Sequence, residues 1–356
     1  MPVVNVNWLA GRSATQKQEL IHEITEVVHR VGGSPRDRIA VVITDVPAEN
    51  WGRGGEQVST LQSAPPTPPA PATPAEMPVA STLHESVRAL PFVDGQVRLF
   101  DLEQPRFQGM PIHPAHNPGY AYFLYRRHSD NYNPQELGVR NSASGVIVCM
   151  EHSGTHIDAI CHQSDAQRLY GGSLAMDVCN QHGFTEHAIE DVNPMFAPGV
   201  LLDAAAARGV RAIDAGTVLT ANDLQACCRR QGVEIKAGDV VLVRTGNGVY
   251  WNEPDRFLAG PGMDASAAQW LADKHVLAVG ADNMAWDVIG LRDPVTNCQL
   301  PGHLILLARS GIYIIENLQL EDLAAAGVSR FTFVCLPLKF MGATGSPVRP
   351  IAVVNA

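Results

Sequence analysis

The sequence of 356 residues contains no cluster of lysine and arginine, and its formal net charge is -10. Binding to a phosphate backbone needs a basic face, so a nucleic-acid partner is excluded. No stretch reaches the roughly 18 consecutive apolar residues of a spanning helix, and the start of the chain has no basic region followed by an apolar run. A soluble, unsecreted protein with no membrane partner is expected. C-x-x-C spacing is absent: Cys149, Cys161, Cys179, Cys227, Cys228, Cys298 and Cys335 are scattered and odd in number, which argues against a disulfide framework and for a cytoplasmic location. There is no G-x-S-x-G elbow to present a serine nucleophile. Only 17% of residues are charged while 46% are hydrophobic, a balance that excludes a disordered or fibrous chain and supports a real core.

Proline, by contrast, is concentrated. Residues 63–77 read SAPPTPPAPATPAEM, where missing amide donors and fixed φ stop both helix and sheet and leave a semi-rigid, extended linker. Residues 59–78 therefore separate an N-terminal domain (1–58) from a C-terminal one (79–356), and two cores are implied. In the first, an apolar-rich run over residues 2–9 precedes a helix capped by Ser13 with Gln16 three residues on. Leu20, Ile21, Ile24, Val27, Val28 and Val31 follow at helical spacing up to Gly32-Gly33, and residues 39–43 form a β-branched run. This β-α-β unit buries too little to stand alone, so a homo-oligomer is expected. The second domain alternates strand-like runs (145–150, 199–203, 239–244, 275–281, 331–336) with helices at 221–231 and 265–273, capped by Thr220 and Asp264. The pattern predicts an α/β domain with a mixed sheet.

The segment His152-Ser153-Gly154-Thr155-His156-Ile157-Asp158-Ala159-Ile160-Cys161-His162 packs three imidazoles and a carboxylate into one short, turn-rich stretch. Those are ligands that Zn²⁺, Mn²⁺ or Fe²⁺ accept, and three protein ligands leave a position open for water. His152, His156 and Asp158 are the strong candidates. Gly154 lets the backbone turn closely, Thr155 offers a hydroxyl to orient a ligand, and Cys161 is disfavoured. The competing reading is a loop of unrelated polar residues.

This segment resembles the cyclase family of metal-dependent hydrolases that includes bacterial kynurenine formamidase and isatin hydrolase, whose pattern is H-x-G-T-H-x-D-x-P-x-H. Ile160 replaces the proline. The resemblance runs over residues 101–354 through Arg244-Thr245-Gly246, Gly280-Ala281-Asp282, His303, Ile315-Glu316-Asn317-Leu318 and Gly345-Ser346-Pro347. It implies a swivelling β/β/α fold, Zn²⁺ or Mn²⁺ as one or two ions per chain, and hydrolysis of an amide, lactam or lactone of a small-molecule substrate. Two-metal members place the second ion on positions matching His303 and Glu316, with Asp158 bridging. His162 matches the family's catalytic histidine, which shuttles the proton of a water whose pKa the metal lowers.

Pro2 becomes a secondary amine at the chain start once Met1 is removed. Together with Gly11-Arg12-Ser13, Gln16-Lys17 and Val42-Ile43-Thr44-Asp45, it makes residues 2–56 similar to the 4-oxalocrotonate tautomerase family. The resemblance implies Pro2 as catalytic base, Arg12 as the carboxylate-binding arginine and Trp51 as an apolar wall in the substrate site. The family's second arginine is replaced by Ala40, with Arg38 on the same strand face by periodicity. The implied chain is a fusion: hydrolytic opening releases an enol acid that Pro2 converts to its keto form. Two alternatives stand beside it: an N-terminal module that only oligomerises, and a C-terminal unit that only binds a ligand or metal.

Overall fold

The structure, a computed structural model, describes residues 2–53, 56–57, 85–89, 95–117, 119–130 and 132–355. The expected proline-rich linker lies outside these residues. Two compact units are present, Met1–Val79 and Ala80–Ala356. Among the described residues no helix is long and apolar enough to cross a membrane.

In the first unit, strand β1 (Val3–Leu9) pairs in parallel with β2 (Ala40–Val46), from Val3 opposite Ala40 to Leu9 opposite Val46. Helix α1 (Ala14–Gly32) bridges them. Its start is a capping box: the Gln16 amide donates to Ser13 Oγ at 3.2 Å, and the Ser13 amide donates to Gln16 Oε1 at 3.0 Å. Gly33 ends it at φ 66°. None of residues 2–51 is buried, and Val3, Ile21, Val27, Val31 and Val42 are exposed. Arg38 closes a 3₁₀ turn, Arg36–Arg38, so strand periodicity does not place it on a face with Ala40 as the sequence suggested.

The second unit is built on a ten-stranded mixed sheet. Its centre is four parallel strands, in order Tyr313–Glu316, Ala278–Ala281, Val240–Arg244 and Met195–Asp203. Antiparallel strands flank them: His156–Asp158 and then Gly345–Pro347 on one side; Arg330–Cys335, Ile351–Asn355, Gln96–Asp101 and Glu85–Ala89 on the other. Both faces are covered, so the central strands are continuously apolar rather than alternating. Val241 and Val243 pack under the helices Ala221–Gln231 and Ala265–Asp273, while Val240 and Leu242 enter the opposite core with Phe100 and Phe333.

Both helices have the predicted bounds, and Thr220 and Asp264 cap them. The strand expected over 199–203 begins earlier, at Met195, and runs through Pro198. Residues 195–198 pair only with Arg330–Cys335, and pairing with Val240–Arg244 starts at Gly199. Pro198 thus sits on a locally free edge, where a missing amide costs nothing. The strand expected over 275–281 starts only at Ala278, because His275 holds a turn at φ 54°. Residues Ser144–Val148 pair with Ala121–Arg126 as a separate two-stranded ribbon.

The motifs 244–246 and 280–282 hold each other at the carboxyl ends of two parallel strands. Asp282 accepts from the Thr245 amide at 2.8 Å, the Thr245 hydroxyl at 2.7 Å and the Gly246 amide at 2.8 Å. Burial nevertheless pushes the Asp282 carboxyl up to about 6. Arg244 forks onto Glu321 with two bonds of 2.8 Å and reaches Asp203 at 2.8 Å.

Candidate metal centre

His156–Asp158 runs antiparallel between Tyr313–Glu316 and Gly345–Pro347, with His156 opposite Glu316 and Asp158 opposite both Ile314 and Gly345. Strand alternation sends Ile157 into the core and turns His156 and Asp158 to the face that Glu316 shares. The segment expected to be turn-rich turns over 152–155, with Gly154 at φ 64°, is a strand over His156–Asp158 and ends in a 3₁₀ turn, Ile160–His162. A Cβ on Gly154 would lie 2.4 Å from the Arg106 guanidinium, which donates to the Ser153 and Thr155 carbonyls. Thr155 does not orient a ligand: its hydroxyl donates to the Asn317 carbonyl at 2.7 Å and accepts the Gln104 amide at 2.9 Å. His303 stands at the N-terminal end of a π-helical turn, Leu304–Arg309, an insertion frequent at functional sites. Ala285, Leu300 and Asn317 adopt φ of 72°, 52° and 58° around it, each at a cost of about 1–3 kcal/mol that packing must hold in place.

The direction of each hydrogen bond fixes what the imidazoles present to the centre. His156 Nδ1 lies 2.8 Å from the Gly154 carbonyl, which only accepts, so Nδ1 carries the proton. Its Nε2 lone pair faces Asp158 at 3.5 Å and Glu316 at 3.6 Å. His303 Nδ1 lies 2.9 Å from Asp287, whose carboxylate also accepts the Gly302 and His303 amides. Its Nε2 then faces Glu316 at 3.2 Å and Asp158 at 3.5 Å. His152 Nδ1 is 2.7 Å from Asp158 Oδ1, while Nε2 meets the Thr344 hydroxyl at 2.8 Å. Asp158 Oδ2 is buried without a hydrogen-bond partner. Nitrogen lone pairs aimed at buried carboxylates repel unless a proton or a cation lies between them, so this donor set fits a divalent ion. Two triads have ligand atoms close enough to share an ion: His152, His156 and Asp158, and Asp158, His162 and His303.

Burial alone would raise the Asp158 carboxyl, but His162 and His152 beside it hold it well below the usual range. Burial opposes charge on His152 and His303, yet their carboxylate neighbours outweigh it and both are raised. His156 and His162 are lowered by burial, which keeps His162 neutral and able to accept a proton. Burial also pushes the Cys161 thiol up to about 12, so it stays protonated and a poor ligand.

The four imidazoles and the Asp158 and Glu316 carboxylates line a cavity of about 210 Å³ that His116 also enters. A larger, more apolar cavity of about 650 Å³, with Tyr120, Met150, Glu151 and Phe340 in its wall, holds neither triad. Gly345 permits the close fit: a Cβ there would lie 2.6 Å from His152 Cε1 and 3.0 Å from the Ile157 carbonyl. Gly345→Ala is expected to displace the His152 ring, lowering stability by about 1–3 kcal/mol and weakening metal binding. Thermal melting and chelator competition would measure the two effects.

Residues 100–288, more than half of the chain, match the family model described as "Putative cyclase". The chain belongs to this cyclase family. Residues 2–61 match the model "Tautomerase enzyme", so a tautomerase domain is fused ahead of the cyclase-family unit. The chain is 27% identical over 218 residues to an isatin hydrolase of Roseibium aggregatum, covering 58% of this chain and 73% of that protein. A 2-hydroxymuconate tautomerase of Pseudomonas putida is 41% identical over 61 residues, 17% of this chain and 97% of that protein. A crystal structure described as a novel cyclase superposes with a TM-score of 0.63 at 26% identity, covering 71% of this chain and 86% of the other.

The cyclase-family unit thus gathers His152, His156, Asp158, His162, His303 and Glu316 around one cavity. In the tautomerase domain the predicted residues are not gathered within one copy. Pro2 precedes β1 and accepts the Ala40 amide at 3.0 Å. The Arg12 guanidinium lies 5.5 Å from the ring centroid of Trp8, six residues and roughly 20 Å along an extended strand from Pro2. Trp51 follows the 3₁₀ turn, Ala48–Asn50, that comes after β2.

Sequence reasoning did not find His116, whose ring stacks on His152 at 4.9 Å and is lowered to about 4, chiefly by burial. Nor did it find Asp287, Glu151 or Thr344. Only Glu151 adjoins a recognised ligand in sequence. The others reach the site through the fold and carry no spacing signal.

Proposed function

We propose that the cyclase-family unit is a metal-dependent hydrolase of an amide, lactam or lactone. The observation carrying this reading is the convergence of imidazole lone pairs on Asp158 and Glu316, with the outer nitrogens of His156 and His303 pinned as donors. His152, His156 and Asp158 would hold one Zn²⁺ or Mn²⁺; His303 and Glu316 would serve a second, with Asp158 shared. Such an ion, when bound, lowers the pKa of water and polarises a carbonyl. His162, neutral and with its ring 4.0 Å from that of His152 and 6.1 Å from that of His303, takes the water proton and returns it to the leaving nitrogen or oxygen. The isatin hydrolase relative supports a lactam among the substrates.

The tautomerase domain is read as converting an enol acid to its keto form. The Pro2 amine acts as base, Arg12 binds the substrate carboxylate and Trp51 forms an apolar wall. A unit in which none of residues 2–51 is buried, and whose base and arginine stand at opposite ends of the sheet, needs further copies of itself to make a core and a site. A homo-oligomer follows. Hydrolysis and ketonisation are then consecutive steps, with the tether raising the local concentration of the second site. The seven cysteines are unpaired, in keeping with a cytoplasmic protein. One observation favours a second reading, a silent oligomerisation module: Ala40, hydrogen-bonded to Pro2, puts a methyl where the family has an arginine.

His162→Ala separates shuttle from ligand. Bound metal is expected to stay nearly unchanged while kcat on an amide or lactam falls about 10²- to 10⁴-fold. Loss of the metal in this variant would make His162 a ligand instead.

A further inference from the structure

Both oxygens of the Glu151 carboxylate are engaged by a single residue 193 positions away. Oε2 accepts the Thr344 amide at 3.2 Å, and Oε1 accepts the Thr344 hydroxyl. Carboxylate oxygens only accept, so the hydroxyl proton is committed to Glu151 and the Thr344 oxygen offers a lone pair to its other neighbour. That neighbour is His152 Nε2, at 2.8 Å. The direction of the chain is therefore Nε2–H of His152 to Thr344, and Thr344 to Glu151. Thr344 is itself anchored beside the ligand strand, where its carbonyl accepts the Ala159 amide at 2.9 Å. The next residue, Gly345, lies against the His152 ring.

We infer that Glu151 and Thr344 are a positioning pair that keeps a proton of His152 on Nε2, so that Nδ1, which without an ion donates to the Asp158 carboxylate at 2.7 Å, is the nitrogen that gives up its proton to become a metal ligand. The inference rests on the metal-centre reading above. His156 and His303 have the same arrangement through partners of a different kind, the Gly154 carbonyl and the Asp287 carboxylate. For His152 the hydroxyl is an intermediary that accepts or donates as its own partner dictates. Without the Glu151 carboxylate, the Thr344 hydroxyl can turn and donate to Nε2, which selects the opposite tautomer and takes the Nδ1 lone pair away from the ion. Outer partners of this kind contribute about 10- to 100-fold to metal affinity.

The test uses the full chain, with Zn²⁺ and Mn²⁺ each titrated in competition with a chromophoric chelator. Thr344→Val and Glu151→Ala are expected to weaken binding by about 10- to 100-fold. Thr344→Ser and Glu151→Gln, which keep the hydroxyl and an acceptor, should stay within about threefold of wild type. Thermal melting of the metal-free variants identifies one that fails to fold, and the two positions are independent of each other in that respect. ¹⁵N-histidine NMR of the metal-free protein gives a second readout: Nε2 of His152 carries a proton in the wild type and loses it in Thr344→Val. Wild-type affinity in both Thr344→Val and Glu151→Ala, or an unprotonated Nε2 in the wild type, would overturn the assignment. If the wild type binds neither ion, the hydrolase reading falls and the NMR result alone decides the pair.

Discussion

Asp158→Ala and His156→Ala are each expected to lose the bound metal and, with it, hydrolysis. Asp158 is the residue common to both triads, and its two oxygens face imidazole nitrogens from different sides. Removing it leaves the imidazoles of His152 and His303 without one of the carboxylates that raise them, and leaves the ion without its central charge. A metal contributes several kcal/mol of transition-state stabilisation, so the loss in kcat/KM is expected to be about 10³-fold or more. Both variants should still fold, because the removed side chains face the cavity while Ile157 keeps its place in the core. Metal analysis, circular dichroism and turnover on formylated anilines, isatin-like lactams and enol lactones provide the three readouts. A variant without metal that retains wild-type turnover would remove the ion from the mechanism.

The second large effect lies in the other unit. Mature protein is expected to begin at Pro2, and Pro2→Ala or Arg12→Ala should lower enol-keto conversion by about 10²- to 10⁴-fold, the range for a positioned base, while hydrolysis persists. Because Pro2 and the Trp8-stacked Arg12 stand at opposite ends of β1, a substrate reaching both must lie between copies. Mixed oligomers of the two inactive variants should therefore regain part of the activity. An intact Met1 would end the proposal for Pro2, since an amide nitrogen has no usable lone pair. Full tautomerase activity in both variants would leave the module as an assembly element.

The features legible in the sequence are those set within a few residues of each other. Ser13 with Gln16, Thr220 and Asp264 marked helix starts because a cap and its amide are neighbours along the chain. The ligand motif was legible because one strand carries His156 and Asp158 on a single face. What escaped depends on the fold. Asp287 and Thr344 hold imidazoles from 16 and 192 residues away, and Glu151, although next to His152, reaches it through Thr344, so nothing local marks their role. Thr155 looked like a ligand's partner and instead ties its strand to Asn317 and Gln104. The strand expected over 199–203 begins earlier, at Met195, and admits Pro198 because pairing with Val240–Arg244 starts only at Gly199. Arg38 read as strand by periodicity and lies in a 3₁₀ turn.

The most direct measurement is elemental analysis of the full-length protein purified in active form without added metal. One or two equivalents of Zn²⁺ or Mn²⁺ per chain are expected, removed by chelator together with hydrolysis and restored with it on readdition. Active protein with no more than trace metal would contradict the assignment of His152, His156 and Asp158 as its ligands.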